Sequence, residues 1–314
     1  MKENSKKKID SKQLVITNNH SGQRIDNFLI RYFAGIPNSR IYQMLRKGEV
    51  RVNSGRIKQT YRLRLDDIVR VPPVYIEEKY TPEPSETIRN IIENSIIHED
   101  ELSIVINKPS GIVVHSGSGQ SYGVIEALRA NNKYSTLELV HRLDKDTSGC
   151  LVLAKDIPAL RLIQEAINHE KSVKRYLALL NGRLNEKKLI VDTPLQKNII
   201  RSGERVVTVD AQGKPAKTVF FRKVLFDNAT LAEIEIHTGR THQIRVHSSS
   251  IGHFVLGDRK YGDKKTNSQI RKLGLERMFL HAKSLSFMSP LSKKIVTIEA
   301  ALDKKLISFL NQLK

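Results

Sequence analysis

The chain has 314 residues and carries 53 Lys and Arg against 33 Asp and Glu, a net charge of +20, with a single cysteine, Cys150. One thiol excludes a disulfide framework and a Cys-based zinc site, and no apolar run approaches the roughly 20 residues needed to span a bilayer. A field of that sign favours a polyanionic partner, nucleic acid first, although a chain this rich in Lys, Ile and Asn also carries charge with no task.

Residues 1–20 read as a disordered basic tail. The lysines at 2 and 6–8 have no apolar segment behind them, so they are not a secretory signal, and a cytoplasmic location is expected. From Gln23 the pattern turns helical, with Ile25, Phe28, Leu29, Tyr32 and Phe33 on one face. A second helix is expected behind an Asn38 or Ser39 cap, carrying Ile41, Met44 and Leu45, and Gly48 stops it. Val50–Val52 and Arg56–Lys58 read as short strands around an Asn53-Ser54-Gly55 turn. Arg40, Arg46, Lys47, Arg51, Arg56 and Lys58 crowd this small region. A solvated surface would explain them, but so many cations in so small a unit point to phosphate contact.

Residues 74–98, with Pro82, Pro84 and several glutamates, read as an extended linker holding at most one helical turn at Ile91-Ile92. A larger domain, 99–314, follows. Strands are expected at 102–106, 112–114, 137–140, 150–154, 174–180, 217–221 and 232–236, a helix behind Asp156 and Pro158, and another marked by Leu302 to Leu313. Strands on short turns with scattered helices indicate an α+β fold with a largely antiparallel, mixed sheet. Gly117, Gly119 and Gly123 have the wrong spacing for a dinucleotide loop, which removes a nucleotide cofactor.

Chemistry concentrates in His141-Arg142-Leu143-Asp144-Lys145-Asp146-Thr147-Ser148-Gly149, a polar loop between two apolar strands. Rigid anchoring of that kind suits a catalytic group, yet a plain charged turn would look similar. His237, His242 and His247 recur every five residues, which is not a helical metal spacing, and in a strand they would alternate faces, so no metal site is expected. On composition alone Tyr176 would be a core tyrosine.

The loop matches, at every fixed position, the signature His-Arg-Leu-Asp, two free residues, Thr-Ser-Gly of the RluA-type pseudouridine synthases. Gly239-Arg240-Thr241-His242-Gln243-Ile244-Arg245 resembles their third motif, and Tyr176 stands where their second motif has an aromatic ring. Gln23–Leu29, Gly48–Asn53 and Ser202–Arg205 extend the resemblance from about residue 20 to the carboxyl terminus, within the branch acting on large-subunit ribosomal RNA. Ser39–Asn53 resembles the S4-type RNA-binding module, which makes residues 21–73 an S4-like domain. The resemblance implies that Asp144 is the catalytic aspartate and that Arg245 is its ion pair, keeping it ionised and aimed. It also implies that Tyr176 stacks on the target base and that Arg142 enters the space left by the flipped nucleotide. Lys108, Pro109, Gly111, Gly257, Asp258, Tyr261 and Gly262 recur in the family as framework or groove elements. The expected activity is isomerisation of uridine in 23S ribosomal RNA by a monomer needing no cofactor or metal. A non-catalytic S4-type ribosome-assembly factor, or a synthase acting on tRNA, would share parts of the pattern.

Overall fold

Lys12-Gln13-Leu14-Val15 places a half-buried leucine in a mostly exposed run, and it forms a strand by backbone pairing with the sheet beside it. In the computed structural model, which describes residues 6–33, 35–77, 83–117, 120–199 and 205–313, Lys12–Val15 pairs antiparallel with Ile68–Val71. Lys6–Ile9 pairs with Val74–Glu77, and Ile16 is buried. The expectation of a disordered tail to residue 20 is therefore corrected over the described part; residues 1–5 lie outside it. Lysine's long stem covers apolar surface while its charge stays in water, which lets such an edge strand form.

The chain divides into two compact units, the first comprising residues up to Pro82 with Asp156–Pro158 and the second the remainder from Glu83. In the first, helices Ile25–Tyr32 and Asn38–Lys47 pack on a three-stranded sheet of Lys12–Val15, Ile68–Val71 and Arg51–Val52. Ile25, Leu29, Phe33, Ile41 and Met44 form its core with Val50, Val69 and Val71. The second helix starts after Pro37 with no side-chain cap, so the expected Asn38 or Ser39 cap is absent, while Gly48 does end it in the left-handed conformation at φ 69°. Residues 56–58 form no strand, because the turn at Asn53 and Ser54 takes positive φ and the backbone of Val52 and Gly55 pairs with itself. The linker expectation also fails at both ends. Val74–Glu77 is a paired strand, and Glu86–Glu93 is a helix that buries Ile92 in the second core.

The second unit rests on a ten-stranded sheet. Its path is Lys188–Asp192, Lys217–Leu225, Ala229–Ile236, Val173–Asn181, Leu280–Met288, Ser148–Ala154, Ser103–Lys108 and Ile96–Glu99. Glu138–Leu139 joins Ser148–Ala154, and Ile295–Glu299 joins Leu280–Met288. Every pairing is antiparallel except that of Leu280–Met288 with Ser148–Ala154. All seven residues of Ser148–Ala154 are buried. Ile104, Ile106, Leu151 and Leu153 face one core, closed by helices Glu86–Glu93 and Val124–Arg129. Val105 and Val152 face the other, closed by Ile163 and Ile167 of helix Ile157–Asn168. A strand covered on both faces has no polar side to show, which is why it reads as an unbroken apolar run. Residues 112–114 are not the expected strand: the carbonyls of Val113 and Val114 accept from Val124 and Ile125, opening the next helix.

Gly149 sits where the parallel pair meets. At φ 110° it lies against the backbone of Ala282, and a Cβ would collide with that backbone. Only glycine permits the approach, and it fixes the end of the 141–149 loop. Cys150, next in the strand, is buried with its Sγ within 3.5 Å of the Ile298 carbonyl, and burial pushes the thiol up to about 12.

Candidate active site

Asp144 occupies a tight turn in which its carbonyl accepts from Thr147 N–H at 3.2 Å. The turn is tethered from one side. The ammonium of Lys108, fully buried, donates to the carbonyls of Pro109, Ile112 and Lys145 at 2.7, 2.8 and 3.0 Å. Burial pulls its pKa down to about 7, with Asp146 and Asp144 opposing, and the three carbonyls favour the charged form. Gly111 N–H adds a bond to the Lys145 carbonyl and Ser110 Oγ one to that of Asp146. His141 serves the same end: its Nε2 accepts from Val152 N–H at 3.1 Å, and burial, with Lys174 beside it, lowers its pKa to about 4. It is a neutral structural ring.

Asp144 and Arg245, 101 positions apart, meet in space. Arg245 Nη1 donates to Asp144 Oδ2 at 3.0 Å. Arg245 lies on the helix Gln243–Ser250, not on a continuation of the strand that ends at Ile236. Residues 243–248 are all buried, so the alternation of Ile244 and Val246 carries no information about faces. Gln243 holds the helix start, donating to Thr218 Oγ1 and the Lys217 carbonyl and accepting from Thr238 Oγ1 and Arg240 N–H.

Behind Arg245 stands a second carboxylate. Arg245 Nε and Nη2 donate to the two Asp258 oxygens at 2.7 and 2.9 Å, and its guanidinium lies over the Tyr261 ring at 5.0 Å. Burial pushes the Asp258 carboxyl up, but Arg245 and the N–H groups of Lys260 and Tyr261 outweigh it and hold the group below the usual carboxylate range. Burial would weaken the Arg245 cation, yet Asp258 and then Asp144 more than compensate and raise its pKa. Such a two-point clamp fixes the guanidinium plane, so its remaining N–H addresses Asp144 from one direction.

Tyr176 is placed by a bulge. Its strand pairs Arg175 with Ser284 and Tyr176 with Ala282, so the intervening Lys283 is extra and turns the register. Ala282 therefore stands between Tyr176 on one side and Gly149 on the other, which brings the tyrosine beside the Asp144 loop. One groove is lined by Arg142, Asp144, Tyr176, Arg240, His242 and Arg245, together with Ile236 and Leu280. Burial, then the charge of Asp144, raises the Tyr176 hydroxyl above its ordinary value, so it is a neutral ring. Arg142 is exposed at the edge.

The other expected residues lie in the first unit. Arg46, Lys47, Arg56 and Lys58 are exposed. Arg40 is engaged by Glu49 at 2.7 Å, and the half-buried Arg51 donates to the Gly48 carbonyl. Ser202 to Glu204 and the pair Ser118-Gly119 lie outside the described residues. The three histidines separate: His247 bonds to Thr218 Oγ1 and the Thr193 carbonyl, His237 approaches Glu235, and His242 turns to the groove. Asp258, Tyr261 and His242 are the members that sequence reasoning did not assign. Asp258 and Tyr261 were visible only as recurring framework residues.

Residues 102–250 match the family model described as RNA pseudouridylate synthase. Over 306 residues the chain is 47% identical to "Ribosomal large subunit pseudouridine synthase C" of Haemophilus influenzae, covering 96% of this chain and 95% of that protein. The chain belongs to the RNA pseudouridylate synthase family. Proteins of the same name from Pasteurella multocida and Escherichia coli are 48% and 45% identical, each over 96% of this chain and at least 94% of their own. Among solved structures, human RNA Pseudouridylate Synthase Domain Containing 4 aligns with a TM-score of 0.59 at 26% identity, covering 73% of this chain and 97% of its own. Human RNA Pseudouridylate Synthase Domain Containing 1 gives 0.56 at 27%, covering 73% and 89%. As a pseudouridine synthase the chain is an isomerase, and its mixed sheet with flanking helices is the family's α+β fold.

Proposed function

We propose that the chain converts specific uridines of large-subunit, 23S ribosomal RNA to pseudouridine, with Asp144 as the reacting carboxylate. The observation that carries the reading is the Asp258–Arg245–Asp144 array, a carboxylate aimed into an open groove by a guanidinium that is itself clamped. Near-full-length similarity to proteins named for the ribosomal large subunit supports the substrate class.

In the reaction the N1–C1′ bond breaks, the uracil turns in the pocket, and C5 bonds to C1′ with loss of the C5 proton and gain of one at N1. Atoms and electrons balance within the substrate, so side chains suffice. Asp144 either attacks C1′ or takes the C2′ proton to form a glycal; both routes need one ionised carboxylate at the ribose. The target base must leave its stack, which costs a few kcal/mol. Stacking on Tyr176 returns roughly 1–3 kcal/mol, and Arg142, exposed at the groove edge, fills the vacated space. We read residues 21–73 as an S4-like module in which Arg46, Lys47, Arg56 and Lys58 meet phosphates, with Arg40 and Arg51 holding its surface in shape.

Tritium release from ribosomal RNA labelled at uracil C5 tests the reading. Wild type releases label; Asp144→Asn binds the RNA with unchanged melting behaviour and releases none. Undiminished release from that variant refutes the assignment, and absence of release from wild type refutes the activity on this RNA.

A further inference from the structure

His242 precedes the helix Gln243–Ser250 with φ 55° and ψ 21°, the left-handed region that residues other than glycine seldom enter. Backbone strain on a groove wall directs attention to the side chain it presents. The ring lies between two partners: Nδ1 is 2.8 Å from the Tyr261 hydroxyl, and Nε2 is 3.8 Å from Asp144 Oδ2.

The tautomer is assigned from the Tyr261 hydroxyl, whose partners among the described residues are two. Val207 N–H donates to its oxygen at 3.1 Å, and His242 Nδ1 is the one acceptor in reach of its proton. A neutral imidazole that accepts at Nδ1 carries its proton on Nε2, and that N–H faces the carboxylate. The separation exceeds a hydrogen bond by the usual criterion, and catalytic contacts of this kind tighten when substrate arrives. Arg245 Nη1 addresses the same oxygen, Oδ2. Both contacts fall on Oδ2, and neither residue engages Oδ1.

We propose that His242 is a positioning residue for this reaction: held as the Nε2–H tautomer by Tyr261, it donates to Asp144 Oδ2 in the substrate complex and leaves Oδ1 to react. The proposal rests on Asp144 being the reacting carboxylate. A neutral donor steers the carboxylate, whereas a second cation beside Arg245 would over-stabilise it and weaken it toward C1′ or the C2′ proton. The groups facing the ring are Asp144 from the loop, Arg245 from its own helix, and Asp258, Lys260 and Tyr261 from the segment that follows. Burial lowers the His242 pKa and outweighs Asp144, which raises it, so the ring is neutral at physiological pH. Acid converts it to a cation that can no longer accept from Tyr261.

Steady-state kinetics of tritium release, measured from mildly acid to mildly alkaline pH, test this on the full chain. His242→Ala lowers kcat about tenfold or more with KM unchanged, the loss of one hydrogen bond to a carboxylate. His242→Gln, whose amide can donate in the same place, recovers most of that kcat, and its acid limb moves to lower pH because nothing at 242 titrates. Tyr261→Phe lowers kcat less than His242→Ala. The proposal is overturned if His242→Ala keeps wild-type kcat, if His242→Gln turns over no faster than His242→Ala, or if the acid limb of the Gln variant stays where wild type has it. Melting curves accompany each variant, and should His242→Ala fail to fold, the pH profile of His242→Gln decides. Inactive wild type or active Asp144→Asn instead sinks the underlying functional reading, so the two failures are distinct.

Discussion

The amino-terminal unit leaves Arg46, Lys47, Arg56 and Lys58 in solvent, while the catalytic unit buries Arg245 between two carboxylates. An exposed cation keeps its hydration and gains little from a single neighbour, so a set of them suits a diffuse, salt-sensitive grip on polyanion. A buried guanidinium is tolerable only when nearly every donor is met, and that completeness gives it direction. The same residue type thus provides affinity in one place and aim in the other.

Breaking the buried array should produce the largest effect. Asp258→Ala leaves Arg245 with Asp144 alone, and unfolding should be about 3–5 kcal/mol easier by denaturant titration, with product formation lost. A change well under 1 kcal/mol would mean the pair does not hold the site. The same residue sets a pH dependence. Because Asp258 is held below the usual carboxylate range when folded, its contribution is fully present above the ordinary carboxylate pKa. It fades as pH falls through the depressed folded value, so wild type and Asp258→Asn should converge in stability toward acid. An equal gap between their melting temperatures at neutral and acid pH would contradict this.

Tyr176→Ala should weaken capture of the flipped base by roughly 1–3 kcal/mol, read as a matching loss in kcat/KM while the protein's melting changes far less than for Asp258→Ala. The smallest effect belongs to the exposed cations. Arg46→Ala with Lys47→Ala should reduce the slope of log affinity against log salt by about one for each phosphate no longer neutralised, with kcat unchanged. An unaltered slope would remove these two from the RNA-facing surface.

What could be read in the sequence divides along physical lines. The strand after Asp144 was legible because burial on both faces leaves a long apolar run, whereas the one expected at 137–140 shrinks to the half-buried Glu138–Leu139; Gly48 was legible because its left-handed φ ends a helix in one particular way. Asp144 and Arg245 were paired through motif resemblance; nothing in their spacing joins residues 101 positions apart. Asp258 escaped assignment because a carboxylate that meets its partner only in the folded chain has no local pattern. His242 escaped because its meaning lies in one backbone angle and two distances. The Lys6–Ile9 and Lys12–Val15 strands looked disordered since charge density is a statement about composition, whereas these strands are held by backbone pairing with Val74–Glu77 and Ile68–Val71.

Cys150 offers a use that its burial creates. A thiol pushed to about 12 and packed in the strand leaving the Asp144 loop is almost wholly un-ionised and out of reach of alkylating reagents in the native chain. Modification by iodoacetamide then waits for that strand to come away from its neighbours, so the labelling rate reports the opening free energy of the segment next to the Asp144 loop. One unmodified atom serves as an internal gauge, with no engineered probe.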